Sequence, residues 1–157
     1  MPEENGKQFI SSRLQKYLKE APFFCKIIEL ILCVISVGLI VNPFNEISQK
    51  DMKKDINDVA IVYVSLCGYI LINAIIILCH LLGDRMPKKT AITFSVMGAV
   101  LCLTAGLVLI RSWTEYPNNL ILPNVEQYSH QMISSAVFAI IASIFFSCDI
   151  YFINKYY

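Results

Sequence analysis

Residues 68–110 constrain the fold most. They form two long apolar runs joined by one short charged turn, Gly83-Asp84-Arg85-Met86-Pro87-Lys88-Lys89. A helix needs about 20 mostly apolar residues to cross the hydrocarbon of a bilayer; the second run supplies that length over 90–110, and the first does so once it is followed back to Val59. The turn is too short and too charged to lie in hydrocarbon. Gly83 suits the left-handed residue that ends a helix, and Pro87 prevents the same helix from continuing. The stretch therefore predicts a transmembrane helical hairpin with a tight basic elbow.

The rest of the chain agrees with a membrane protein. Of its 157 residues, 56% are hydrophobic, and the mean hydropathy is +0.58, well above that of an ordinary soluble domain. The formal net charge of +1 gives no basic field for nucleic acid. The six cysteines, Cys25, Cys33, Cys67, Cys79, Cys102 and Cys148, all fall inside or at the edge of apolar runs, which excludes a secreted disulfide framework. No Cys-x-x-Cys occurs, so a dithiol redox centre is not expected. Cys25, beside Lys26 at a membrane edge, is a candidate for S-acylation; the plainer reading is a small apolar filler. The polar first 20 residues predict no cleavable signal peptide.

In order, residues 1–21 alternate Phe9, Ile10, Leu14, Tyr17 and Leu18 with Lys7, Arg13, Lys16 and Lys19. That pattern fits a basic amphipathic segment on a membrane surface, or a solvated tail. Spans are expected at about 22–41, 59–82, 90–110 and 131–153. Asn42-Pro43 is read as the end of the first. A solvated loop of mixed charge is expected over 44–58, and a second loop with turn formers and an apolar Leu120-Ile121-Leu122 over 112–130. The expected fold is all-α, a single four-transmembrane-helix bundle over 1–157, without a convincing internal repeat.

Orientation follows from the basic residues. Lys7, Arg13, Lys16, Lys19 and Lys26 precede or open the first span, Arg85, Lys88 and Lys89 lie in the elbow, and Lys155 ends the chain. The opposite side has Lys50, Lys53, Lys54 and Arg111. The positive-inside rule then makes both termini and the elbow cytoplasmic.

Two constellations carry what chemistry there is. The third span has a stripe of small residues, Ser95, Gly98, Ala99, Cys102 and Gly106, on one helical face. Small residues let helix backbones approach closely, and packing drives association in lipid. The stripe serves either the bundle itself or contact between subunits. The second constellation is an intramembrane polar cluster, Lys26, Glu29, His80 and Asp149, expected toward the cytoplasmic ends of three spans. Such groups are expensive in lipid and should face the interior or a partner. They read as a structural polar clamp or as a proton- or ion-handling site. No His-Glu-x-x-His, Cys/His metal spacing, phosphate loop or Gly-x-Ser-x-Gly occurs, so neither an enzyme nor a cofactor is expected.

Four short spans, modest outer loops and the elbow resemble the MARVEL-type tetraspans. The hairpin, Gly68-Tyr69-Ile70 through Gly83-Asp84-Arg85-Met86-Pro87 and then Phe94-Ser95-Val96-Met97-Gly98-Ala99-Val100, is similar to small arthropod members of that broad group, some of them septate-junction proteins. Outside the hairpin the resemblance lies in the span pattern, and the claudin and tetraspanin loop signatures are absent. It implies a structural role in membrane apposition, junction assembly or vesicle trafficking, at the plasma membrane or on secretory-pathway vesicles, with membrane-protein partners or self-association. It carries over no catalytic residues. The alternative is a small proton- or ion-coupled transporter or channel subunit, or an accessory subunit of a larger complex. The orientation has a direct test. A cysteine placed in the 44–58 loop should react with an impermeant thiol reagent in intact cells, and one placed beside Lys88 should not; the reverse pattern overturns it.

Overall fold

The computed structural model of the chain describes the backbone of residues 3–50, 56–83, 86–115 and 125–156, and the side chains of 21–45, 57–83, 86–114 and 127–156. Four helices result: α1 (Glu3–Lys50), α2 (Ile56–Leu81), α3 (Lys88–Glu115) and α4 (Val125–Tyr156). Each contains a segment long and apolar enough to cross a membrane: Ala21–Asn45, Asn57–Leu81, Lys88–Thr114 and Gln127–Tyr156. The shortest, at 25 residues, measures about 37 Å at 1.5 Å per residue, enough for the roughly 30 Å hydrocarbon core. Among the described residues there is no strand.

The expected boundaries need correction in three places. Asn42-Pro43 does not end the first helix, which runs through Pro22 and Pro43 to Lys50. A proline inside a helix loses one backbone hydrogen bond and crowds the preceding turn. Pro43 is fully buried and Phe44 is 4% exposed. Phe44 also meets Tyr63 of α2 edge-on at 5.7 Å, so packing offsets the lost bond. The 44–58 segment is consequently helix as far as Lys50, with α2 beginning at Ile56. The second loop is shorter too, because α3 continues to Glu115 and α4 starts at Val125. Residues 51–55, Asp84 and Arg85 of the elbow, Leu120-Ile121-Leu122 and the side chains of the amphipathic start lie outside the described residues.

The elbow forms as its residues dictate. Gly83 has φ +88°, a left-handed conformation that costs glycine little. Its N–H bonds the His80 carbonyl at 3.2 Å, and Leu82 N–H bonds Leu78 O at 3.0 Å. Pro87 then opens the next helix: its carbonyl accepts Ala91 N–H at 3.1 Å.

The helices pack in a ring in which each touches its neighbours in sequence and α4 closes on α1. The α3–α4 and α1–α4 interfaces are the most extensive, and α2–α3 is the sparsest. The reason is side-chain size. On α3, Ser95, Gly98, Cys102, Ala105, Gly106 and Leu109 face inward, while Val96, Met97, Val100, Leu103 and Leu107 face outward. On α4 the inward face carries Ala136, Ala139, Ala142 and Phe146. The small stripe is therefore spent on packing inside the bundle. A methyl added at Gly98 would sit 2.6 Å from the Phe146 ring and 2.7 Å from the Tyr69 ring, and one at Gly106 would sit 2.8 Å from Ile140. Crowding of that kind costs about 1–3 kcal/mol or more. Gly98→Leu and Gly106→Leu should each lower thermal stability in detergent sharply, whereas Val100→Leu and Leu107→Ile, on the outward face, should change it by no more than about 0.5 kcal/mol.

Candidate functional site

The bundle interior holds a charged cluster near the end that carries the elbow. Lys26 (α1), Glu29 (α1), Ser95 (α3) and Asp149 (α4) are all buried, with Glu29, Ser95 and Asp149 at 0% exposure. Each sits roughly 8–12 Å, at 1.5 Å per residue, from the elbow end of its own membrane segment. Equal depth on three helices is what lets the side chains meet.

Lys26 is the hub. Its ammonium has three protons, and each has an acceptor: Glu29 Oε2 at 2.9 Å, Asp149 Oδ2 at 2.8 Å and Ser95 Oγ at 3.0 Å. Ser95 Oγ in turn donates toward Asp149 Oδ2 at 2.7 Å, and Ala91 O lies 3.0 Å away as a second acceptor. Lys26 and Glu29, at i and i+3, share one helix face. One ammonium therefore ties α1 to both α3 and α4. Its Nζ also lies 4.8 Å from the centroid of the Phe146 ring, a cation–π contact. Phe146 sits one helical turn deeper than Asp149, meets Tyr69 edge-on at 5.3 Å and occupies the notch left by Gly98. Tyr69 is anchored by its hydroxyl, which donates to Phe94 O at 3.0 Å. The aromatic pair closes the cluster off from the deeper interior.

The remaining helix, α2, contributes Asn73, at 0% exposure. Its amide is a close neighbour of the Glu29 carboxyl, yet neither Nδ2 nor Oδ1 makes a hydrogen bond of normal geometry. Glu29 Oε1 and Asp149 Oδ1 are buried and unpartnered as well.

Deeper in the bundle the polar contacts are neutral. Ser36 and Ser135 each donate to the other's carbonyl, at 2.9 and 2.7 Å, joining α1 to α4. Ser143 Oγ donates to Ala99 O at 2.8 Å, joining α4 to α3. Cys33 Sγ and Cys102 Sγ approach to 3.9 Å between α1 and α3. Trp113 Nε1 donates to Ser129 Oγ at 2.7 Å at the far end.

Of the residues singled out in the sequence, Lys26, Glu29 and Asp149 come together and His80 does not. His80 is exposed and stacks on Phe23 at 4.6 Å. It lies one residue from the end of α2, too shallow to reach the others. Ser95, read as a packing residue, is instead the link between Lys26 and Asp149. Cys25 is 8% exposed and turned into the bundle, while Cys148 is exposed. A thiol so buried suits the filler reading better than acylation. Sequence reasoning missed Phe146 and the alanine stripe of α4, although the i, i+3 spacing of Ala136, Ala139 and Ala142 was available as a signal.

No protein-family model, curated protein or solved structure matches the chain. Its chemistry rests on this geometry alone. Breaking a buried ion pair by removing one partner costs about 3–5 kcal/mol, because the other charge stays buried. Lys26→Ala should lose stability of that order on thermal unfolding in detergent, and His80→Ala should lose under about 1 kcal/mol. Similar losses at the two positions would show that Lys26 is no hub.

Proposed function

We propose that this four-span membrane protein is structural: it organises membrane contacts or protein assemblies, in membrane apposition, junction assembly or vesicle trafficking, and is not a catalyst. The observation that carries the reading is how the interior is used. The inward side chains of α3 and α4 are spent on close packing, and Phe146 fills the notch at Gly98 directly beneath the charged cluster. The outward faces are left for lipid and for other membrane proteins: Val64 and Leu71 on α2 are 73% and 66% exposed, and Met97, Val100 and Leu107 line α3. The span pattern and hairpin that resemble the MARVEL-type tetraspans support the same role. In this reading the elbow and both termini are cytoplasmic, as the basic residues indicate.

One observation favours a second reading, a proton- or ion-coupled subunit: the cluster has unpartnered carboxylate oxygens. The two readings separate in one pair of measurements. The purified protein in liposomes should carry no pH-driven or cation flux above empty vesicles, and the tagged protein in its native cells should concentrate at cell contacts or on secretory vesicles. Flux that is abolished by Asp149→Asn at unchanged stability would replace the structural reading with the transporter.

A further inference from the structure

The charges of the cluster do not balance. Lys26 is one cation against two carboxylates, Glu29 and Asp149, and all three are buried. An uncompensated ionised carboxylate away from water costs many kcal/mol, and in practice such a group takes up a proton. Among the described residues no further cation is paired with either carboxylate. On α1 the neighbours of Glu29 are Lys26 and the Cys25 thiol. On α2 they are Asn73 and the Tyr69 phenol. The Cys102 thiol of α3 and Asp149 of α4 are within electrostatic reach, and Ser95 joins through Lys26.

The hydrogen bonds divide the two acids. Asp149 Oδ2 is approached by two donors, the Lys26 ammonium at 2.8 Å and the Ser95 hydroxyl at 2.7 Å. Donors of that kind favour the ionised form. Glu29 Oε2 is approached by Lys26 alone, and its Oε1 is an orphan. Asn73, itself buried, stands beside that carboxyl without a hydrogen bond of normal geometry, and its amide can present either Nδ2 or Oδ1 there. A proton on Glu29 Oε1 gives the orphan oxygen something to donate and Asn73 Oδ1 something to accept.

We propose that the cluster is a proton-binding site: at neutral pH it holds one proton, on Glu29 and directed at Asn73, while Asp149 is the anion that pairs with Lys26. The site then totals zero charge, and the proton contributes to holding α2 against α1.

The test is infrared spectroscopy of the full-length protein in lipid nanodiscs at neutral pH, reading the carbonyl band of neutral carboxylic acids. The wild type should show one such acid that Glu29→Gln abolishes. Asp149→Asn should abolish it too, because Glu29 then ionises to pair with Lys26. Lys26→Met, which removes the cation and leaves both acids buried, should double the band. Isotopic labelling of the wild type covers the case in which a variant fails to fold: the band must shift with carboxyl-labelled glutamate and stay put with labelled aspartate. A wild-type band that neither label moves, or that only aspartate moves, overturns the proposal. So does a spectrum without the band; if added Na+, and not a bulky organic cation, then raises the thermal midpoint, the missing positive charge is a metal cation.

Discussion

The structure depends on one buried ammonium. In water Lys26 would exchange its partners with solvent at little cost, and a surface ion pair is worth at most about 1 kcal/mol. In a bilayer interior no solvent competes, so the ammonium must be served by protein on all its protons. Its acceptors lie on α1, α3 and α4. To satisfy it, α1 and α3, which sit diagonally in the ring, must both approach α4 at one depth. A charge that is costly to bury is thereby turned into a register mark for three helices.

Packing supplies the closeness that the charge requires. Polar contacts between membrane helices average only about 0.6 kcal/mol each, so the serine contacts deeper in the bundle cannot hold it alone. The small faces of α3 and α4 let backbones meet, as Ser143 reaching the Ala99 carbonyl shows. Phe146 links the two effects: its ring fills the space at Gly98, faces Tyr69 and underlies Lys26. A side chain at Gly98 would displace the ring and with it the floor of the cluster. Helix α2 stands apart. It faces the core through Val62, Leu66 and Tyr69, and among the described residues it meets the charged cluster through Asn73 and Tyr69.

The four spans were legible in the sequence because run length and charge placement in lipid leave little freedom. The elbow was legible for a similar reason, since Gly83 and Pro87 each have a narrow conformational repertoire. The ends at Lys50 and Glu115 were not. Local rules stop a helix at proline, and only tertiary contacts such as Phe44 against Tyr63 keep it going. The site was partly legible: charge in an apolar run marks Lys26, Glu29 and Asp149, and counting residues from the elbow puts them at one depth. The same count excludes His80, a lesson in using depth before chemistry. Rotation about each helix axis is what the count leaves open, and it decides that Ser95 meets Asp149 and that Asn73 comes beside Glu29.

The position of the cluster bears on what a proton there does. It lies roughly 8–12 Å from the elbow end, within a hydrocarbon core of about 30 Å. Past Phe146, the buried polar side chains among the described residues are serines, Ser36, Ser65, Ser112, Ser135 and Ser143. Ser36 and Ser135 are occupied with each other's carbonyls and Ser143 with Ala99. A hydroxyl already donating to a backbone carbonyl is a poor station for a travelling proton, and none of these groups takes a charge of its own. A proton entering from the elbow side would therefore meet its acceptor early; the fully buried titratable groups beyond it among the described residues are the Cys33 and Cys102 thiols, 3.9 Å apart and weak acceptors. Binding a proton and conducting one are separate properties, and this arrangement of side chains favours the first. The proton then acts on the bundle that holds it, by deciding whether the charge around Lys26 sums to zero.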